Sequence, residues 1–270
     1  MAVLRVNGLT KYFGINSVFE NVSFELKSGE HIGLVGANGA GKTTLLKCIM
    51  GREEADRGTI KTSDGAVIGY LRQDFDYAGE TIRDEMEEAW EDVLFYKDRM
   101  ERLAAELEFH KDDADLVLEY GKTEARFEFL GGYDYESATK KILTGLGFTE
   151  EDWDRDIHSF SGGQKVRINL AAAFVRHPDF LLLDEPTNHL DMGMLEWLED
   201  YLRSYKGGVL MISHDRYFLD AAATGIIDLE NHRIHSYRGG YTRYMDTKTR
   251  ETAAYEKAYE KQQEHIRETE

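Results

Sequence analysis

Hydrophobic and polar residues alternate at residues 3–6 and 22–26, as they do in strands with one buried face. Longer apolar runs, which are typical of strands buried on both faces, occupy residues 31–35, 180–183 and 208–213. Helical patterns separate these runs, so the chain is predicted to adopt an α/β fold. The remaining predicted strands are a pair at 58–61 and 66–71, joined by a Ser-Asp-Gly turn signal, and a final pair at 226–229 and 233–237.

The pattern becomes helical between about residues 80 and 147. Apolar residues recur three, four or seven positions apart from Ile82 to Leu107, which predicts an amphipathic helix, and Thr81 with Asp84 fits a capping box at its start. A second helix is predicted over 116–130. Together they indicate a helical hairpin inserted into the α/β frame. The hairpin is either a packing subdomain or a protruding contact arm, and the pattern leaves both open.

A glycine-rich loop separates the strand at 31–35 from a predicted helix at 45–50. It matches G-x-x-x-x-G-K-[ST], the phosphate-binding P-loop. Backbone amides of this loop and the helix N-terminus favour an anion, Lys42 would reach the β- and γ-phosphates, and Thr43 would hold Mg²⁺. A strand-to-helix turn without a ligand would leave Lys42 and Thr43 unexplained. The predicted phosphate-binding residues are Gly36, Asn38, Gly39, Ala40, Gly41, Lys42, Thr43 and Thr44.

Two carboxylates follow the apolar strand at 180–183. Asp184 is predicted to hold Mg²⁺, and Glu185 to orient or deprotonate an attacking water, because both would lie at the carboxyl edge of a sheet beside the P-loop. His214 ends another strand at the same predicted edge, where it could contact a γ-phosphate. A single histidine is more often a surface or core residue, so this role depends on the sheet topology.

Two further segments each allow two interpretations. Phe13, or secondarily Tyr12, could stack on a nucleotide base, or be a core aromatic residue at the end of a strand. Ser161 and Gln164 form a capping-box pattern, which explains a well-capped helix at 166–175. However, Gly162 and Gly163 weaken a helix start and suggest that the backbone must approach a ligand such as a phosphate.

Charge and cysteine content narrow the classes of function. The chain has 33 basic and 51 acidic side chains, a net charge of -18, which argues against attraction of the whole surface to nucleic acid or anionic lipid. A single cysteine, Cys48, excludes an internal disulfide framework and fits a reducing cytosol. No apolar run approaches the roughly 20 residues that span a bilayer. The protein is therefore expected to be cytoplasmic.

Taken in order, the motifs resemble those of an ATP-binding-cassette (ABC) ATPase, over roughly residues 1–240. The resemblance implies an α/β P-loop NTPase cassette with a mixed sheet core, an N-terminal antiparallel β part and an inserted α-helical subdomain or arm. One departure is Phe160, where most cassettes carry leucine. The matching positions are 36–43, Gln73, 161–164, 181–185, Asp191 and His214.

The resemblance also implies ligands and roles. ATP and Mg²⁺ are the expected ligands, with Gln73 organising Mg²⁺ and the water together with Thr43 and Asp184. Ser161, Gly162, Gly163 and Gln164 would close over ATP held by the P-loop of a second cassette, and Asp191 would help to join the two cassettes. Because a complete site needs two cassettes, weak ATP binding and little turnover are expected from this chain alone.

The spelling of residues 183–191, 213–220 and 237–244 is similar to the ABC-F subfamily, whose soluble twin-cassette members mostly act on ribosomes. This implies a first cassette at 1–245, with the helical insert at 80–147 and a signature-helix region at 148–178. Residues 246–270 would begin a truncated inter-cassette linker, predicted as a charged helix that lacks a sufficient apolar face. The expected partners are a second cassette or a second copy of this chain, and the ribosome and tRNA for the full-length protein.

Two other functions remain open at this point. The chain could be the ATPase subunit of a membrane transporter, which has the same chemistry and a different partner. It could also be an ATP-gated binding module in which turnover is incidental. The sequence does not identify the translational step involved.

Overall fold

The structure, a computed structural model, describes residues 2–71, 77, 79–110 and 113–269, with only the backbone described at 260 and 262–269. The strands are β1 (Val3–Phe13), β2 (Asn16–Lys27), β3 (His31–Val35), β4 (Arg57–Thr62), β5 (Ile68–Tyr70), β6 (Phe180–Asp184), β7 (Gly208–Ile212), β8 (Gly225–Glu230) and β9 (Arg233–Arg238). The helices are α1 (Lys42–Ile49), α2 (Ile82–Ala89), α3 (Glu91–Phe109), α4 (Ala114–Phe129), α5 (Tyr135–Gly145), α6 (Gly162–Phe174), α7 (Met192–Ser204), α8 (Arg216–Ala222) and α9 (Tyr241–Thr269).

The chain divides into two compact units. The first comprises residues 1–68, 179–187 and 198–270, and the second comprises 69–178 and 188–197. No helix in the described part of the chain is long and apolar enough to cross a membrane.

Two sheets lie in the first unit, apart from the last two residues of β5, which belong to the second. An antiparallel sheet has the order β2-β1-β4, and a mixed sheet has the order β5-β6-β7-β3-β8-β9. In the mixed sheet β6, β7, β3 and β8 run parallel, and β9 pairs antiparallel with β8. The predicted mixed α/β fold with an N-terminal antiparallel part is confirmed. The two strands that flank the turn at 63–65 join different sheets, so they do not form the pair that the turn signal indicated.

The parallel strands place the candidate chemistry at one edge of the mixed sheet. Strands β6 and β7 are buried along their whole length because apolar side chains cover both of their faces. Their carboxyl ends, and that of β3, point the same way. The chain therefore leaves the sheet at Gly36, Glu185 and Ser213 on the same edge.

The second unit is mostly helical, as predicted for the insert. Helices α3 and α4 form the hairpin, and both hydrogen bonds of the predicted capping box join Thr81 and Asp84 at the start of α2. The single helix predicted from Ile82 is wrong, because the chain leaves helical geometry at Trp90 and continues as α3. Trp90 is buried, and its indole N–H donates to Thr139 Oγ1 at 3.0 Å. This contact lies on α5, which the pattern did not predict.

Candidate functional site

The P-loop joins β3 to α1 in the first unit. Gly36 and Gly41 have φ angles of 149° and 101°, which side-chain-bearing residues rarely adopt. A Cβ at Gly36 would lie 2.5 Å from the Leu229 carbonyl oxygen, and one at Gly41 would lie 2.4 Å from Val18 Cγ1. Gly41 is also the N-cap of α1 and offers no side-chain cap. The first amides of the helix are therefore free to bind an anion.

Lys42 lies within its own loop. It is 9% exposed, and its Nζ donates to the carbonyl oxygens of Gly36 at 2.9 Å and Ala37 at 3.1 Å. These two bonds hold the ammonium group inside the curve of the loop. The remaining donor of the ammonium group, and exchange of the two carbonyl bonds, would let Lys42 reach phosphate oxygens bound by the loop amides.

Asp184 ends β6 beside α1. Asp184 is 3% exposed, and its Oδ2 has no hydrogen-bond partner in the described part of the chain. Burial raises the pKa of Asp184, and the contacts with Thr43 and Lys42 only partly oppose this shift. A buried carboxylate oxygen that lacks a partner, next to a hydroxyl, fits one edge of a Mg²⁺ site.

No cluster of three or more His, Cys, Asp or Glu side chains suited to a metal occurs among the described residues. Mg²⁺ commonly takes only one or two protein carboxylates and completes its coordination with substrate phosphates and water. Asp184 and Thr43 fit that arrangement. The third predicted ligand, Gln73, lies outside the described residues.

Glu185 is the first residue after β6, and its backbone is unusual. Its φ angle of 52° is rare for a residue with a side chain, and its N–H donates to the Ile212 carbonyl at 2.9 Å. Such strained geometry persists only where surrounding contacts enforce it, and it often occurs at functional sites. Here it directs the carboxylate toward the start of the segment after β7.

His214 holds this carboxylate. Its backbone N–H donates to Glu185 Oε2 at 3.3 Å, and its ring Nε2 lies 3.5 Å from Glu185 Oε1 without hydrogen-bond geometry. Burial raises the pKa of Glu185, the contacts with His214 oppose this shift, and the charge of Asp184 adds to it. The anionic form of Glu185 is thus disfavoured, which makes this carboxylate a better proton acceptor.

A polar bridge that sequence reasoning missed links the two segments. Thr187 Oγ1 and Ser213 Oγ lie 3.3 Å apart, and Ser213 Oγ also accepts from the Asp215 backbone N–H at 3.0 Å. Asp215 in turn caps α8 by accepting from two backbone amides. The Ser-His-Asp run at 213–215 is the part of the sequence that indicates such contacts, because Ser and Asp are typical of turns and helix caps.

Phe13 lies at the end of β1 and is 51% exposed, so it is not the core residue that the alternative interpretation required. Lys11 Nζ lies 5.0 Å from the centre of its ring, within cation–π range. Tyr12 is 36% exposed and hydrogen-bonds to Glu20 at 3.5 Å. An exposed ring on the sheet that also supplies Val18 to the P-loop can stack on a base.

The segment 161–164 lies in the second unit. Both bonds of the predicted capping box are present, from Gln164 N–H to Ser161 Oγ at 3.3 Å and from Ser161 N–H to Gln164 Oε1 at 2.9 Å. A Cβ at Gly163 would approach the His189 carbonyl oxygen to 3.1 Å, which gives this glycine a structural reason. A Cβ at Gly162 would contact nothing within 4 Å, so packing does not explain that glycine.

The structure therefore gathers the P-loop, Asp184, Glu185 and His214 at one sheet edge of the first unit. Asp191, predicted to join two cassettes, is exposed and accepts from the Met194 backbone N–H at 2.9 Å. That bond caps the start of α7. The role of Asp191 between cassettes remains a prediction.

Comparison with known proteins places this geometry in context. Two family models, both described as ABC transporter, match residues 19–188 and 227–270. A putative ATP-binding protein of Bacillus subtilis, YdiF, is 37% identical over 98% of this chain and 42% of its own length. ABC transporter F family member 5 of Arabidopsis thaliana is 36% identical over 97% of this chain and 39% of its own length.

The energy-dependent translational throttle protein EttA of Mycobacterium tuberculosis is 32% identical over 90% of this chain and 43% of its own length. The chain thus spans about two-fifths of these relatives. Among solved structures, the ATP binding subunit of an ABC transporter superposes with a TM-score of 0.67, covering 87% of this chain and 90% of that one at 23% identity. That likeness concerns the fold alone.

Proposed function

We propose that this chain, which belongs to the ABC transporter family of ATP-binding domains, works as an ATP-hydrolysing cassette of a protein that regulates translation on the ribosome. Family membership makes the chain an ATPase domain. Its relatives include an F-family member and EttA, which supports the resemblance to ABC-F proteins.

The first unit offers a site for the nucleotide. The loop amides from Gly36 to Thr44 and the ammonium group of Lys42 would bind the phosphates, and Phe13 would stack on the base. Thr43 and Asp184, with Gln73, would hold Mg²⁺. When bound, Mg²⁺ would neutralise charge on the β- and γ-phosphate oxygens.

The environment of Glu185 is the main support for proposing that the chain hydrolyses ATP with this residue as the general base. This carboxylate is 15% exposed, its pKa is raised mainly by burial, and the His214 backbone N–H fixes its orientation. Glu185 would accept a proton from the attacking water, and His214 would contact the γ-phosphate. General base catalysis contributes roughly a hundred- to ten-thousandfold to such rates.

Glu185→Gln tests this role in two measurements. We expect ATP binding to be retained and ATP hydrolysis to fall by roughly a hundred- to ten-thousandfold. Glu25→Gln, which removes an exposed carboxylate paired with Arg5 on the antiparallel sheet, is the matched control and should leave both unchanged. A Glu185→Gln variant that hydrolyses ATP at the parent rate would exclude Glu185 as the base.

We further propose that hydrolysis needs a second cassette. The exposed Ser161 and Gly162 would close over ATP bound by the P-loop of that partner, and the partner's equivalent segment would close over ATP bound here. The 270-residue chain alone should therefore turn over slowly, with a rate per molecule that rises with protein concentration. A rapid rate that is independent of concentration would contradict the shared site.

The ribosome is the proposed target because relatives named for the F family and for translational throttling match nearly the whole chain. A net charge of -18 disfavours attraction of the whole surface to RNA, so we expect local contacts from the 80–147 insert or from the linker. A cytoplasmic location follows from this proposal.

Co-sedimentation with ribosomes tests the target. The full-length gene product, carrying Glu185→Gln and the equivalent change in its second cassette, is mixed with ribosomes, ATP and Mg²⁺. ATP-dependent pelleting is the expected result. Fractionation with membranes, without pelleting, would instead support the ATPase subunit of a transporter. If the doubly substituted protein retained function in cells, an ATP-gated binding module would be favoured, because hydrolysis would be dispensable.

A further inference from the structure

A buried carboxylate lies directly behind the P-loop. Asp228 on β8 is the register partner of Val35, the residue that precedes Gly36, and the next carbonyl, that of Leu229, faces Gly36. Asp228 is only 2% exposed. Together with Gly36 and Lys42 it lines a polar cavity of about 490 Å³. An uncompensated negative charge at this position would repel phosphate groups bound by the loop.

The compensation comes from α9, far along the chain. Lys248 Nζ lies 2.5 Å from Asp228 Oδ2 and 3.0 Å from Glu230 Oε2. The buried Tyr244 hydroxyl donates to the same Asp228 oxygen at 2.8 Å. One face of α9 thus brings a cation and a donor to a single carboxylate of the nucleotide-binding unit.

Lys248 keeps its charge in this setting. Burial opposes the charged form, but the hydrogen bonds to Asp228 and Glu230 outweigh that effect and raise the pKa of Lys248 above its ordinary value. An ammonium group that stays protonated at every physiological pH is a permanent counter-charge. Removing one partner of such a pair leaves the other buried and unpaired, which is strongly unfavourable.

We propose that Lys248 of α9 is a positioning residue of the nucleotide site, which neutralises Asp228 so that the P-loop remains attractive to phosphates. The inference rests on the proposed binding of ATP to the P-loop. It makes the ATP affinity of the cassette depend on the docking of α9, the segment where the predicted linker begins. The sequence motifs of the cassette do not include Asp228, Tyr244 or Lys248.

The alternative is that these contacts only dock the helix, and two substitutions separate the possibilities. Lys248→Met and Asp228→Asn disrupt the same ion pair, so a docking role predicts that both weaken ATP binding. A charge role predicts opposite effects. Lys248→Met leaves a buried anion and should weaken binding roughly three- to tenfold, whereas Asp228→Asn removes that anion and should leave binding unchanged or tighter.

The experiment measures the Kd of a fluorescent ATP analogue with Mg²⁺ for the 270-residue chain at low ionic strength. The double variant Lys248→Met/Asp228→Asn should return to within about twofold of the parent, because it contains neither charge. Lys248→Arg should bind like the parent. Lys257→Met, an exposed lysine further along α9, is the matched control and should have no effect.

Three results would overturn the inference: Asp228→Asn weakening binding as much as Lys248→Met, a double variant no better than Lys248→Met, or Lys248→Met binding like the parent. If Lys248→Met fails to fold, as judged by thermal unfolding, the Asp228→Asn measurement still decides by its direction. Lys42→Ala is the control for the premise that the P-loop of this chain binds ATP. A parent chain that binds the analogue no better than Lys42→Ala would refute ATP binding itself, together with this inference.

Discussion

Ser161 has one role in the structure and a second in the proposed function, and a single pair of substitutions can separate them. In the structure its hydroxyl caps α6 by accepting from the Gln164 backbone N–H at 3.3 Å. In the proposed function it also closes over ATP held by a second cassette. Ser161→Ala removes both roles. Ser161→Asp removes only the second, because Asp caps a helix as well as Ser does but would place a carboxylate against the phosphate.

The expected changes in Tm follow from the energetics of the helix cap. Replacing an N-cap Ser with Ala costs about 1 kcal/mol, so Ser161→Ala should lower the Tm of this chain by about 2–4 °C. Ser161→Asp should leave the Tm unchanged or slightly higher, since an acidic group at a helix N-terminus adds about 0.3–1 kcal/mol of favourable dipole interaction. Stability and partner binding are therefore expected to change in different variants.

The assay combines thermal unfolding with analytical ultracentrifugation. All variants carry Glu185→Gln so that ATP persists, and self-association is measured with and without ATP and Mg²⁺. Ser161→Asp should keep the parent Tm and lose ATP-dependent association, while Ser161→Ala should lose part of both. Thr81→Ala is the control, because Thr81 caps α2 with the same pair of bonds and should lower the Tm without affecting association.

Two outcomes for Ser161→Asp would contradict the proposed pair of roles. If Ser161→Asp associates with ATP as strongly as the parent, the segment 161–164 is only a helix cap and the shared site is wrong. If Ser161→Asp unfolds as early as Ser161→Ala, the hydroxyl does more in the monomer than cap α6. Either outcome can be read from the same samples.

Three further predictions concern the first unit. Gly36→Ala should abolish binding of the ATP analogue in a fluorescence titration, because the added Cβ would lie 2.5 Å from the Leu229 carbonyl oxygen at a φ of 149°. Glu185→Gln should raise the free energy of unfolding in urea at pH 8, and the gain should shrink toward pH 5. The folded-state pKa of Glu185 is raised, so its ionisation costs stability as pH rises through that pKa, and a constant gain would contradict this. Phe13→Ala should weaken analogue binding by about 1–3 kcal/mol, while the Tm changes little because the ring is exposed; an equal loss with Tyr12→Ala would contradict the assignment.

The residues at the sheet edge could be predicted because each depends on local signals. Each of these residues directly follows a buried apolar run. The run predicts a strand, and the residues after it are therefore predicted to lie at the carboxyl end of that strand. Parallel packing then brings those ends together. The P-loop, Asp184, Glu185 and His214 were found in this way.

Other features depend on contacts between distant parts of the chain, which periodicity does not report. Trp90, where the predicted helix breaks, donates to the distant Thr139. The strands β4 and β5 join different sheets because of their partners, which the turn between them does not specify. The pairing of Asp228 with Lys248 crosses 20 residues, and its acid lies in a strand whose pattern predicted only burial.

The sequence predicts that α9 lacks a sufficient apolar face, and in the structure polar contacts hold the start of this helix. Its start is held by Asp220 of α8, which accepts from the Thr242 backbone N–H at 2.8 Å, and its second and third turns are held by the bonds from Tyr244 and Lys248 to Asp228. Both anchors belong to segments that border the nucleotide site, since α8 follows His214 and β8 adjoins the P-loop. Aromatic packing adds to these bonds, since the Tyr244 ring lies edge-on against Tyr237 of β9 with 5.0 Å between the ring centres, and the Tyr237 hydroxyl donates to Glu251 at 3.0 Å. Residues 249–259 of the helix are exposed, so its contacts with the first unit are concentrated at its start, where the proposed site lies.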